Sequence, residues 1–288
     1  MYSEISYTSD DGLRLYARDY PAASGPARLP VICIHGLTRN SADFEDVAPW
    51  LAAQGRRVIA VDVRGRGNSE YDPKPDRYTA MVYANDVVKM ASDLGIERAV
   101  FIGTSMGGLI TMTLAVRKSS LIAAAVLNDV GPTLSERGLS RIRSYTGKGE
   151  QFTNWQQAAD YISSINSVAF PDNTAQEWER WAHRAFREQG DGTLAMRYDP
   201  NIAVPIRANK LRSTSMAAHF AFRRLARRRP TMLIRGTLSD LIEPAQASAM
   251  RAAAPRMLYA EVPNVGHAPM LSEPAAQEAL RSFLASVD

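Results

Sequence analysis

One cysteine, Cys33, is present in 288 residues. A single thiol cannot close an internal disulfide, so packing must hold the fold. Its place in the apolar run Val31-Ile-Cys-Ile34 marks it as a small buried hydrophobe. Long apolar runs are also missing, and nothing approaches the roughly 18 residues that span a bilayer. Met1-Tyr-Ser-Glu-Ile-Ser6 has no basic stretch leading into an apolar core and does not read as a secretory signal. A soluble cytoplasmic protein without a membrane partner is the expectation. There is no internal repeat and no low-complexity tract. No H-x-x-x-H or C-x-x-C spacing occurs among the four histidines and the lone cysteine, so no metal or other cofactor is expected. Charge of one sign is scarce: the formal net charge is +4, with arginine outnumbering lysine. The densest basic stretch, Arg223, Arg224, Arg227, Arg228 and Arg229, reads as a solvated helix end, and no nucleic-acid partner is expected.

What the chain does have is 45% hydrophobic residues, enough for a sizeable core. Residues 4–8 and 13–20 flank Asp10-Asp11-Gly12 and predict a hairpin at an antiparallel sheet edge. A loop over 21–30 follows. Short apolar runs at 31–34, 58–61, 100–102, 123–127, 231–234 and 258–262 read as buried strands. Helical spacing separates them, as in Val87, Met90, Ala91 and Leu94, or Ala276, Leu280, Phe283 and Leu284. Strand alternating with helix predicts an α/β class fold, a doubly wound, mostly parallel sheet with helices on both faces, built from 1–132 and 230–288. Between them, 133–229 shows no buried strand run and predicts an α-helical insertion.

In such sheets the reactive groups gather beyond the carboxyl ends of the strands. Four of those ends carry polar signatures: His35-Gly36, Asp62, Ser105 and Asp129. Ser105 stands out. It lies in Gly103-Thr-Ser-Met-Gly107, after the strand Val100-Phe-Ile102 and before a helix that starts at Met106. This spacing predicts a strained strand-to-helix turn that lifts the hydroxyl above the sheet edge. Side chains at 103 or 107 would strike the neighbouring backbone. The helix start directs free N–H groups to the same place. A serine hydroxyl needs a base, and the base needs an orienting group. His267, in the loop after the last strand, and Asp240, after the strand before it, complete the order serine, acid, histidine.

His35-Gly36, Asp62-Val-Arg-Gly-Arg-Gly-Asn-Ser69, Gly103-Thr-Ser-Met-Gly107, Gly236-Thr-Leu-Ser-Asp240 and Gly266-His267 each stand at a predicted strand end. On these five motifs the chain resembles the α/β-hydrolase fold family over essentially its whole length. The resemblance implies that Ser105 attacks a carbonyl, that His267 carries the proton and that Asp240 orients the imidazole. It places the oxyanion between the backbone N–H groups of Leu37 and Met106, and makes 133–229 a helical cap over the site. Asp129 is the alternative acid, because the family sometimes takes it from that earlier strand; otherwise it is a turn or cap residue. His-Gly-Leu-Thr replaces the Gly-rich HGGG of some lipases. Haloalkane dehalogenases and epoxide hydrolases resemble the chain in layout but carry aspartate where Ser105 stands.

The expected substrate pocket comprises His35, Trp155, Trp178 and Trp181, with His35 also readable as a hydrogen-bonded structural histidine and the tryptophans as the cap's own core. The expected substrate is a small carboxylic ester or lactone, cleaved through an acyl-enzyme by a serine hydrolase. C–C bond hydrolysis of a vinylogous diketone, perhydrolysis, amide hydrolysis and a ligand-binding receptor are the alternatives. Oligomeric state is not encoded in any motif.

Overall fold

A computed structural model describes residues 1–23, 28–208 and 213–287. Residues 24–27 of the expected loop and 209–212 of the expected insertion lie outside these. In chain order the first half holds β1 (Ser3–Thr8), β2 (Arg14–Tyr20), β3 (Val31–Ile34), α1 (Val47–Ala53), β4 (Val58–Asp62), α2 (Ala80–Asp93), β5 (Ala99–Thr104), α3 (Met106–Arg117) and β6 (Ile122–Asn128). Then come α4 (Glu136–Tyr145), β7 (Gln151–Phe152), α5 (Trp155–Asn166), α6 (Ala175–Ala185), β8 (Phe186–Glu188), β9 (Leu194–Met196), α7 (Val204–Arg207) and α8 (Met216–Arg228). The chain closes with β10 (Thr231–Gly236), α9 (Pro244–Ala253), β11 (Leu258–Val262) and α10 (Pro274–Leu284).

Eight strands form one sheet in the order β1-β2-β4-β3-β5-β6-β10-β11. Only β1 with β2, and β2 with β4, pair antiparallel; the other pairs are parallel. The predicted hairpin edge and the parallel run are both present. The pleat explains why the central strands read as unbroken apolar runs. Ile32, Ile34, Ile59, Val61 and Phe101 enter the core on one face, while Val31, Cys33, Val58, Ala60, Val100 and Ile102 enter the core on the other. Cys33 is fully buried, and burial pushes its thiol pKa up. The chain leaves β3 for β4 on one side and later adds β5 on the other. Gly36 and Ser105 therefore flank the crevice at that switch point.

The stretch between β6 and β10 differs from expectation. It is mostly helical, but β7, β9 and β8 form a small antiparallel sheet within it. These strands are two or three residues long, too short for alternation to register in sequence. Helix α8 also departs from a roofing role, since it packs against α3 at the side of the main sheet. There Arg224 Nε donates to the carbonyl of Ala115 at 2.7 Å, and Arg227 Nε to that of Ala253 at 3.0 Å. Part of the arginine cluster thus ties a crossover helix to the core. Among the described residues no helix is long and apolar enough to cross a membrane.

Candidate active site

β5 ends at Thr104 and α3 begins at Met106, leaving Ser105 to make the turn at φ 52°, ψ −113°. That left-handed conformation costs a serine on the order of 1–3 kcal/mol, and the surroundings hold it. Ser105 N–H donates to Asn128 O at 2.9 Å, and Ser105 O accepts from Gly108 N–H at 2.9 Å. The flanking glycines are steric requirements. A Cβ on Gly103 would lie 2.5 Å from the Gly107 carbonyl carbon, and one on Gly107 would lie 2.0 Å from Ile34 O.

His267 Nε2 sits 2.8 Å from Ser105 Oγ, and its Nδ1 sits 2.8 Å from Asp129 Oδ2. The carboxylate that meets the imidazole is therefore Asp129, the alternative, and not the expected Asp240. Asp240 does not meet the imidazole; Arg141 of α4 donates to both its oxygens, at 2.6 and 2.8 Å. Two physical causes separate the candidates. Asp129 adopts φ 55°, and its fully buried carboxylate also accepts from Ser239 Oγ at 2.6 Å. The Ser239 hydroxyl in turn accepts from Leu241 N–H and Ile242 N–H, which directs its proton to Asp129. Asp240 is turned toward α4 instead. Burial alone would raise its pKa, but the bonds and charge of Arg141, with a contribution from His267, outweigh that and leave the carboxyl below its ordinary 3.8.

The loop carrying His267 is fixed from two sides. Asn128 Nδ2 donates to Pro269 O at 2.8 Å and to Thr104 Oγ1 at 3.0 Å, tying the β5 and β6 ends to it. Gly236 and Gly266 let neighbouring loops approach: a Cβ on the first would lie 2.4 Å from Val265 O, and one on the second 2.8 Å from Ala169 Cβ.

Met106 occupies the first position of α3, so its N–H has no partner within the helix. Leu37 lines the cavity beside Ser105. Sequence reasoning missed the residue that braces both. Arg66, fully buried, donates through Nε to Leu37 O at 2.9 Å, and its Nη2 lies 3.6 Å from Met106 Sδ. The run Asp62–Ser69 is structural around it. Asp62 accepts from Ser41 N–H and Asn68 N–H, and buried Arg64 is bonded to Asp11, Asp72 and Asp86. The only sequence hint of Arg66 was its place in that glycine-rich turn.

A cavity enclosing about 70 Å3 opens on Ser105 and His267. Leu37, Thr38, Arg39 and Asp43 line one side, and Ile142, Tyr145, Ile162 and Trp181 of α4, α5 and α6 line the other. Of the four expected pocket residues, only Trp181 is there. His35 is fully buried beneath it: Nε2 accepts from Val63 N–H at 3.0 Å and Nδ1 donates to Gly36 O at 2.7 Å. Burial takes its pKa down to about 3, so it stays neutral and tethers the loops. Trp155 stacks on His183, ring centroids 3.8 Å apart. Trp178 is buried and stacks behind Trp181 at 5.6 Å. A larger apolar cavity of about 480 Å3 lies beyond Leu37 and Met106 but contains neither Ser105 nor His267. Among the described residues no cluster of three or more His, Cys, Asp or Glu could hold a metal ion.

A family model described as alpha/beta hydrolase fold matches residues 30–274. The chain belongs to the α/β-hydrolase fold family. A 3-hydroxybutyrate-oligomer hydrolase from Cupriavidus necator is 35% identical over 267 residues, covering 91% of this chain and 90% of that protein. A 2-(acetamidomethylene)succinate hydrolase from Mesorhizobium japonicum is 26% identical over 246 residues, covering 85% and 82%. The crystal structure of an alpha/beta hydrolase from Novosphingobium aromaticivorans superposes with a TM-score of 0.91 at 41% identity, covering 99% of this chain and 98% of that one. The chain is thus a hydrolase of the α/β-hydrolase family.

Proposed function

We propose that the protein is a serine hydrolase that cleaves short carboxylic esters through an acyl-enzyme on Ser105. The hydrogen-bonded series Ser105–His267–Asp129 carries this reading. With Nδ1–H donated to the acid, Nε2 is the free base facing the serine proton. His267 takes that proton as Ser105 Oγ attacks the carbonyl carbon. The oxyanion is stabilised by the N–H groups of Met106 and Leu37, donors of a kind worth about 2.7–4 kcal/mol each. His267 then gives its proton to the departing alcohol. Water, deprotonated by the same imidazole, releases the acid and restores the serine. Lactones, as cyclic esters, follow the same route.

The small cavity favours a compact substrate, and the segment from α4 to α6 serves as its cap. The Cupriavidus relative is named for an oligomer of a hydroxy acid, which supports an ester as the bond cleaved. A fluorophosphonate tests the reading. It should label wild-type Ser105 with one equivalent per chain, and a short 4-nitrophenyl ester should give a burst of one equivalent of nitrophenol. Absence of labelling in a folded protein would refute it.

A further inference from the structure

The triad leaves two charged side chains of the cavity without a role, Arg39 and Asp43. Arg39 stands in the loop after β3, three residues past Gly36. A Cβ on Gly36 would lie 3.5 Å from Arg39 Cγ and 3.8 Å from Ser105 Cβ, so the arginine stem and the nucleophile flank the same glycine. Its guanidinium lies over Trp181, 4.0 Å from the ring centroid. Nε donates to Asp43, 2.9 Å from one oxygen and 2.8 Å from the other. Of the two terminal nitrogens, Nη2 meets only Met270 Sδ at 3.5 Å, a weak acceptor. Neither has an oxygen partner among the described residues.

This arrangement fixes the guanidinium plane by stacking and by one anchored edge. The terminal N–H groups stay available at the wall of a small, mostly apolar cavity. Such a fork is preorganised for a planar anion. The Asp43 carboxylate is already engaged at Nε, so it lowers the net charge without occupying the outer edge. Apart from Ser105 and His267, the remaining polar side chains lining that space, Thr38, Thr104, Tyr145 and Asn166, are neutral. Arg39 and Ser105 line the same cavity, and the stem of the one and the Cβ of the other both lie within 4 Å of the point where a Gly36 Cβ would stand. A role confined to holding Asp43 would need only Nε.

We propose that Arg39 is a specificity-determining residue that binds a free carboxylate on the substrate, so the protein acts on short esters of carboxylate-bearing acids or hydroxy acids. This rests on the serine-hydrolase reading above. The names of both relatives, a hydroxybutyrate oligomer and a substituted succinate, are compatible with such an anion.

The test compares 4-nitrophenyl hydrogen succinate with its uncharged isostere, 4-nitrophenyl 4-methylpentanoate. A second pair puts the charge on the alcohol side: 3-acetoxybutanoate and its methyl ester. Wild type, Arg39→Gln and Arg39→Lys are measured with all four. In at least one pair, the anionic-to-neutral ratio of kcat/KM should fall roughly 10- to 100-fold in Arg39→Gln, as expected for losing a charge-assisted hydrogen bond. Arg39→Lys should recover part of that loss. A ratio unmoved in both pairs, or equal losses on charged and neutral members, would overturn the proposal. Fluorophosphonate labelling of Ser105 in each variant reports the fold and the nucleophile separately. If wild type is not labelled, the serine-hydrolase reading has failed; if labelling persists without a change of ratio, only the role of Arg39 has failed.

Discussion

The loops leaving β6 and β10 each carry an aspartate, and the fold uses the two in opposite ways. Asp129 is fully buried, bent into a left-handed conformation, and bonded to His267 and Ser239. Asp240 keeps 16% of its side-chain surface exposed and is clasped by Arg141 of α4. Both follow neighbouring parallel strands, and both were credible partners for the imidazole. Identity and strand position do not decide between them. The deciding factors are one backbone torsion and one arginine from a helix distant in sequence. Asp129 completes the hydrogen-bonded series from Ser105 through His267, whereas Asp240 fastens α4, which bears the cavity residues Ile142 and Tyr145, to the sheet. Gly138 reinforces that fastening, since a Cβ there would lie 2.7 Å from Asp240 O.

The sharpest way to break this contrast is to neutralise each acid in turn. Asp129→Asn should lower kcat about 10^4-fold, the scale seen when the orienting acid of such a triad becomes an amide. Asp240→Asn should stay within about tenfold of wild type, with its main effect on thermal stability. Steady-state ester hydrolysis at fixed pH measures both. The reverse pattern would return the role to Asp240.

Ser239→Ala is the next largest perturbation. It removes a donor from Asp129 and leaves the Leu241 and Ile242 N–H groups without their acceptor. A stability loss of about 1–3 kcal/mol is expected by denaturant unfolding, with kcat lowered about tenfold. Ser239→Thr, which retains the hydroxyl, should recover most of the kcat.

Arg141→Met gives the smallest and most diagnostic effect, a loss of about 1–3 kcal/mol near neutral pH. In wild type the folded pKa of Asp240 lies below its ordinary value. Its contribution is therefore complete above about 3.8 and is lost as pH falls through the folded pKa. Without Arg141, burial is opposed only by the lesser effects of His267 and the Asp240 backbone, so that pKa rises and the ionised carboxylate becomes a burden at neutral pH. Melting curves should show the gap between variant and wild type narrowing as pH falls toward 4. A gap independent of pH would mean that Arg141 acts through packing alone.

The fold was largely legible because its signals are local. Buried strand runs, helical spacing and the Asp-Asp-Gly turn each report on a few consecutive residues. Ser105 was legible for the same reason, since the glycines around it are dictated by contacts within one turn and with β3. His267 followed from its loop and from its rank after the last strand. The acid was not legible, because φ at Asp129 and the reach of Arg141 are tertiary facts. The tryptophans show the same limit. Trp178 and Trp181 share one face of α6, yet only the second reaches the cavity, and Trp155 turns to His183. Arg66 and Arg39 were hidden for another reason. Each is an ordinary arginine in a loop, and only folding places one behind Leu37 and Met106 and the other beside Ser105.

The pairing of His267 with Asp129 can be read directly from the imidazole Nδ1 proton by NMR. A strongly downfield N–H resonance assigned to His267 should be present in wild type and in Asp240→Asn, and should be lost or moved sharply upfield in Asp129→Asn. Survival of that resonance in Asp129→Asn, with its loss in Asp240→Asn, would contradict the account.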